Sequence, residues 1–156
     1  VPEEDAGSDR DRWLSRQGRD SVRVLARLLR DQGLIYEHPI DASICSPLPR
    51  AVQTAEILSE ALDYIGVIET LRCLEPSGQP RIASQAVLGR GNSVLVVGHE
   101  PSISSLGACL IGRPSFPSFR TAQAYAIEDR KPTFTSRSDL NQTQAYAVEQ
   151  ERGGGD

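Results

Sequence analysis

The chain has 156 residues, 38% of them hydrophobic and 24% charged, which is the composition of one ordinary globular domain with room for a hydrophobic core. Its formal net charge of −4 argues against a nucleic-acid binder that works through bulk positive charge. No apolar run approaches the roughly 18 residues of a membrane span, and no signal-peptide pattern opens the chain, so we expect a cytoplasmic protein without a membrane partner.

The first half of the chain predicts two helices on either side of a short strand. The polar opening residues predict a loop, and Ser15 is the expected N-cap of a helix over 16–31. Apolar residues recur in this helix at spacings of three and four: Val22, Leu25, Leu28 and Leu29. Residues 41–45 predict a short strand, after which Ser46-Pro47 starts a second helix that Gly66 closes. The expected buried stripe of this second helix contains Ala51, Ala55, Leu58 and Leu62.

The second half predicts strands that alternate with shorter helices. Strands are expected over 67–71, 93–97, 121–127 and 142–148, and helices over 81–88 and 101–111. This alternation predicts an α/β fold, a three-layer α/β/α sandwich with a mostly parallel sheet. We expect a single domain over 1–150 and a flexible tail over 151–156.

Two residues at predicted strand-to-helix junctions form a candidate phosphate site. Ligands of such sheets bind beyond the carboxyl ends of the strands, where helices begin. Arg50 is expected in the first turn of a helix, where it adds a bidentate fork to the free N–H groups of the helix N-terminus. His99 follows the 93–97 strand, and its imidazole could bind a phosphoryl oxygen or stabilise its developing charge. Taken singly, Arg50 also fits a surface ion pair, and His99 also fits a structural turn.

The remaining chemistry-bearing residues give weaker signals. His38 precedes the 41–45 strand and is therefore expected at the opposite edge of the sheet, whereas Glu75 and Glu100 are candidate proton donors. No glycine-rich phosphate loop, GxSxG motif or metal-ligand spacing occurs, so we expect neither a metal nor a cofactor. The cysteines lack CxxC spacing and are interpreted as buried, reduced thiols: Cys45, Cys73 and Cys109.

Two segments of the sequence resemble the histidine phosphatase (phosphoglycerate-mutase-like) superfamily. Residues 46–55, SPLPRAVQTA, are similar to its SPLxRAxQTA segment, and residues 96–101, VVGHEP, are similar to its VGHEP segment. The stretch 12–18 and the loop 74–78 resemble the small SixA-like phosphohistidine phosphatase branch. The resemblance covers roughly residues 10–112.

The resemblance implies a reaction, and it also implies a missing part. In this family a histidine of an Arg-His-Gly motif attacks the phosphoryl group, and a second histidine and two arginines hold the phosphoryl oxygens, without metal. By motif match, Arg50 corresponds to the second arginine and His99 to the second histidine. The implied substrate is a protein-borne phosphohistidine or a small phosphomonoester.

Arg-His-Gly occurs nowhere in the 156 residues. We therefore expect an amino-terminally truncated domain that lacks its first central strand and its nucleophile and is inactive or nearly so. Two alternatives stay open. One is a pseudophosphatase that binds phosphate without turnover, and the other is an α/β structural or interaction domain.

Overall fold

The computed structural model describes residues 11–33, 38–128 and 131–137. The helices are α1 (Arg16–Asp31), α2 (Pro49–Ala61), α3 (Pro80–Leu88) and α4 (Ser102–Ile111), with a 3₁₀ turn at Arg72–Leu74. The strands are β1 (Ala42–Cys45), β2 (Ile68–Thr70), β3 (Val94–Val97), β4 (Gln123–Glu128) and β5 (Lys131–Arg137). None of the helices in these ranges has the length and apolar character needed to cross a membrane.

A parallel sheet of three strands forms the centre of the fold. β1 lies in the middle and pairs in parallel with β2 on one side and with β3 on the other. Among the described residues no strand is hydrogen-bonded to the outer edge of β3, and β4 and β5 form a separate antiparallel sheet. The predicted α/β fold with a mostly parallel sheet is confirmed.

The two faces of the sheet are covered by different helices, which makes the three layers. Successive strand residues point to opposite faces. Accordingly Cys45 packs with α1 and α2, whereas its neighbour Ile44 packs on the other face. The first cluster contains Val22, Leu25, Ala26, Leu29, Ala51, Ala55, Leu58, Leu62 and Val97. The second contains Leu74, Ala83 and Leu106. The predicted buried stripe of α2 is confirmed.

Helix α2 differs from its prediction at both ends. It begins at Pro49 rather than at Ser46-Pro47. Pro49 occupies the first helical position, where a backbone N–H would make no hydrogen bond within the helix, so proline is well tolerated there. The helix ends at Ala61, well before Gly66. Asp63 takes the left-handed conformation (φ 59°) that terminates it, and Tyr64 N donates to Ser59 O over 2.9 Å. The prediction that Gly66 closes this helix is wrong.

The last strands were only partly predicted. The strand expected over 121–127 is β4, displaced by one or two residues. β5 was not predicted, and the strand expected over 142–148 lies outside the described residues. The register of the β4–β5 pair shifts between Ala126 and Ile127, where Pro132 lies opposite. Proline has no N–H for a regular ladder and is tolerated at such irregular positions.

The three cysteines are free thiols in different environments. Cys45 is fully buried between β1 and its helices, and burial raises the pKa of its thiol to about 11, so it stays protonated at neutral pH. Cys73 is half-buried, and Cys109 is exposed on α4. The expectation of buried thiols is therefore wrong for Cys109.

Candidate active site

The end of β1 leads directly to Arg50. Ser46 follows the strand and is completely buried, and its N–H donates to Val97 O at the end of β3 over 3.0 Å. Its hydroxyl accepts from Leu48 N over 3.2 Å, which tightens the turn before α2. Arg50 is the second residue of α2, and its carbonyl accepts from Thr54 Oγ1 over 2.8 Å. The arginine thus begins its helix at the carboxyl edge of the sheet, as predicted.

The end of β3 leads to His99 through Gly98. A β-carbon on Gly98 would lie 3.3 Å from Ile103 Cδ1 and 3.4 Å from Leu74 O, so glycine permits the close approach of these segments. The His99 carbonyl accepts from Ile103 N over 2.7 Å and from Ser102 Oγ over 3.0 Å. His99 itself is half-buried, and its Nε2 is buried without a hydrogen-bond partner among the described residues.

A third loop, after β2, brings Glu75 to the same edge. Glu75 follows the 3₁₀ turn, and its carbonyl accepts from Gly78 N over 2.8 Å and from Ser102 Oγ over 2.9 Å. A β-carbon on Gly78 would overlap the Cys73 carbonyl, so only glycine fits this turn. The loop is therefore tightly folded, and its backbone is bonded to the start of α4.

Hydrogen bonds join these three loops: Ser46 N donates to Val97 O, and Ser102 Oγ faces both Glu75 O and His99 O. Burial lowers the pKa of His99, the charge of Arg50 lowers it further, and the charge of Glu75 raises it. The structure brings together the predicted pair, Arg50 and His99, and adds Glu75 from the two candidate acids. No group of three or more metal-ligating side chains could hold an ion within the described part of the chain.

Comparison with known proteins places the chain in a family. The model of the histidine phosphatase superfamily (branch 1) matches residues 3–75. The chain is also 33% identical over 127 residues to the phosphohistidine phosphatase SixA of Escherichia coli (strain K12), covering 79% of this chain and 76% of that protein. The chain belongs to the histidine phosphatase superfamily. The resemblance read from its two sequence segments is confirmed.

Solved structures show the same histidine phosphatase fold. A structure of the protein histidine phosphatase SixA complexed with tungstate superposes with a TM-score of 0.71 at 27% identity, covering 85% of this chain and 88% of that one. A putative SixA from Agrobacterium tumefaciens gives a TM-score of 0.55 at 23% identity, covering 67% of this chain and 65% of that one. Because the identity to the Agrobacterium tumefaciens protein is only 23%, that similarity shows a shared fold and nothing more.

The other two candidate residues lie outside this candidate site. Glu100 is exposed, and its carboxylate accepts from both the N–H and the hydroxyl of Ser104, each over 3.0 Å, which caps the start of α4. The carbonyl of His38 accepts from Ser93 Oγ just before β3, and its Nε2 lies 2.8 Å from Glu128 Oε1. His38 thus lies at the opposite edge of the sheet from His99, as predicted.

Two buried serines of the site were not singled out from the sequence. Ser46 joins the ends of β1 and β3, and Ser102 joins the loops that carry Glu75 and His99. A serine at the start of a helix is a signal that could have been noted. Ser102, however, bonds to Glu75, which is 27 residues away in the chain, and sequence spacing does not predict that contact.

Proposed function

We propose that this chain forms the phosphoryl-binding part of a SixA-type phosphatase that hydrolyses phosphohistidine or a related phosphomonoester. One observation carries the proposal: Arg50 and His99 follow the neighbouring strands β1 and β3 at the carboxyl edge of a histidine phosphatase fold. Two relatives support it, since the E. coli relative is a phosphohistidine phosphatase and a solved SixA holds tungstate, a phosphate-like oxyanion.

The two side chains suit a dianionic phosphoryl group in different ways. The guanidinium of Arg50 offers two parallel donors next to the N–H groups of the α2 N-terminus. The buried Nε2 of His99 offers a further hydrogen-bonding position to a phosphoryl oxygen. Because an anion favours the charged imidazole, its arrival raises the pKa of His99 and draws a proton onto the ring. Positioning and charge neutralisation by these groups need no metal.

The proposed reaction also needs a nucleophile, which neither histidine of the chain fits. His99 has the role of the second, oxygen-holding histidine, and His38 lies at the far edge of the sheet. The proposal therefore assigns the nucleophile to an Arg-His-Gly segment outside the 156 residues. That histidine would take the phosphoryl group from the substrate, and water would then cleave the N–P bond to release phosphate.

Two measurements test the proposal. The 156-residue chain should bind tungstate in calorimetry, with heat that disappears in a His99→Gln variant and persists in a His38→Gln variant, and it should show no turnover. A form extended by the upstream coding sequence should hydrolyse a protein-borne phosphohistidine faster than p-nitrophenyl phosphate. Failure of the 156-residue chain to bind tungstate would contradict the proposed site.

A binding-only function is the second candidate, because the sequence contains no Arg-His-Gly. In that case Arg50 and His99 recognise a phosphorylated protein without hydrolysing it. Salt-sensitive tungstate binding is common to both functions. Turnover by the extended form distinguishes the two functions. A phosphatase hydrolyses the substrate, whereas a binding-only protein binds tungstate normally and shows no turnover. A cytoplasmic location stays a prediction for both.

A further inference from the structure

We propose that Ser102 is a positioning residue, whose hydroxyl ties the Glu75 loop to the His99 loop so that both side chains face one ligand. The proposal rests on the proposed function, because the ligand is the phosphoryl group that Arg50 and His99 would hold. Ser102 would touch neither the phosphoryl group nor the nucleophile and would act only through the backbones of these two loops.

The geometry of the hydroxyl carries this inference. Ser102 is the first residue of α4 and is only 8% exposed. Its Oγ lies 2.9 Å from Glu75 O and 3.0 Å from His99 O, so a single hydroxyl proton faces both carbonyl oxygens. The two carbonyls belong to loops that follow different strands, β2 and β3. One buried side chain thus joins two walls of the candidate site.

The carbonyl groups of Glu75 and His99 do not need the Ser102 hydroxyl as their hydrogen-bond donor. Glu75 O also accepts from Gly78 N over 2.8 Å, and His99 O also accepts from Ile103 N over 2.7 Å. Both carbonyls would therefore keep a partner if the hydroxyl were removed, and alanine is well tolerated in a helix. What the hydroxyl adds is the connection between the loops. A Ser102→Ala variant should fold, with Glu75 less firmly placed against His99.

The coupling between Glu75 and His99 gives the proposal a direct readout. The charge of Glu75 raises the pKa of His99. A Glu75→Gln change should therefore lower the pKa of His99, and the size of that drop measures how closely the two groups are held. If Ser102 holds the loops together, the same Glu75→Gln change should lower the pKa by less in a Ser102→Ala background.

The experiment is an NMR pH titration of histidine-labelled protein. The chain has two histidines, and His38, which lies at the opposite edge of the sheet, gives the internal reference signal. Four proteins form the cycle: wild type, Glu75→Gln, Ser102→Ala and the double variant. Ser105→Ala is the matched control, because its exposed hydroxyl donates over 3.1 Å to the carbonyl of Pro101, the N-cap of the same helix, and joins no loops. Ser102→Cys, with a weaker donor of similar size, replaces Ser102→Ala if the latter does not fold.

We expect the Glu75→Gln drop to be at least halved by Ser102→Ala and left intact by Ser105→Ala. Ser102→Ala should also weaken tungstate binding by about two- to tenfold, because binding would then have to supply the order of the loops that one neutral hydrogen bond now maintains. An undiminished drop in the Ser102→Ala background overturns the proposal, and so does the absence of any drop in the wild-type background. If tungstate binds to none of the proteins but the coupling result holds, the proposed function fails while the link between the loops stands.

Discussion

Replacing Arg50 by alanine is the sharpest test of the candidate site. Arg50 lies at the second position of α2, and its charge lowers the pKa of His99. Arg50 and His99 also follow neighbouring strands, whose ends are joined by the bond from Ser46 N to Val97 O, so both lie at one edge of the sheet. Alanine is favoured in helices and removes the guanidinium without disturbing the Thr54 hydroxyl bond to the residue-50 carbonyl. The variant should fold and lose its affinity for an oxyanion.

The size of the loss follows from the kind of bond removed. Hydrogen bonds that involve a charged group contribute about 1.5–3 kcal/mol each. At about 1.4 kcal/mol for each factor of ten, the loss of one such bond should raise the tungstate Kd about 10- to 150-fold, and the loss of both bonds of a bidentate contact should raise it further. A second effect makes the loss depend on pH. Without Arg50 the pKa of His99 rises, so a larger fraction of the imidazole is protonated at pH 6 and partly replaces the missing charge. At pH 8 it does not, and the loss should be larger there.

Calorimetry with tungstate at pH 6 and at pH 8 measures both effects in 0.15 M salt. Arg27→Ala is the matched control, because Arg27 is an exposed helical arginine on α1 and its removal changes the net charge by the same amount. At a Debye length of about 8 Å, a distant surface charge should change the Kd less than about twofold. An Arg50→Ala loss no larger than the Arg27→Ala loss would remove Arg50 from the site. A loss of equal size at both pH values would refute its coupling to His99.

Three further predictions concern stability. The lowered pKa of His99 means that the unfolded chain binds more protons, so the free energy of unfolding should fall as the pH drops below about 6.5, and a His99→Gln variant should lose this contribution in urea titrations across that range. Ser59→Ala should cost about 1–3 kcal/mol in urea unfolding, because it strands the buried Ser43 hydroxyl that lies 2.9 Å away, and Ser43→Ala in addition should recover part of that loss. Gly107→Ala should cost about 1–3 kcal/mol, because a β-carbon would come within 2.8 Å of the Phe116 ring, and an unchanged thermal midpoint would contradict that packing.

The parts of the fold that sequence predicted well are those with a strong local pattern. Strand β3 is a run of four apolar residues between turn signals, and its boundaries differ from the prediction by one residue. The start of α1 behaves likewise, since the Ser15 hydroxyl accepts from Gly18 N over 3.0 Å, as its predicted N-cap role requires. Local hydrogen bonding and burial decide these elements, so a local pattern suffices to find them.

The sequence predictions are wrong where a non-local or irregular interaction determines the end of a helix or the position of a strand. The end of α2 depends on Asp63 adopting a left-handed conformation, which spacing does not reveal when a glycine, Gly66, stands three residues further on. β5 contains Pro132, which argues against a strand until the irregular pairing with β4 is known. In the candidate site, likewise, the link between Glu75 and His99 passes through Ser102, a contact that appears only when the chain has folded.

The relative placement of Arg50 and His99 is a consequence of the core. β1 and β3 pair in register, with Cys45 opposite Val97, and the Ser46 N–H continues the pairing to Val97 O. Each functional residue follows its strand within five positions, so a shift of the register by one residue would displace one relative to the other by about 3.3 Å. Such a shift would also exchange Cys45 with its neighbour between the two faces of the sheet. Because both faces are buried against helices, the packing that stabilises the fold also sets the geometry of the site.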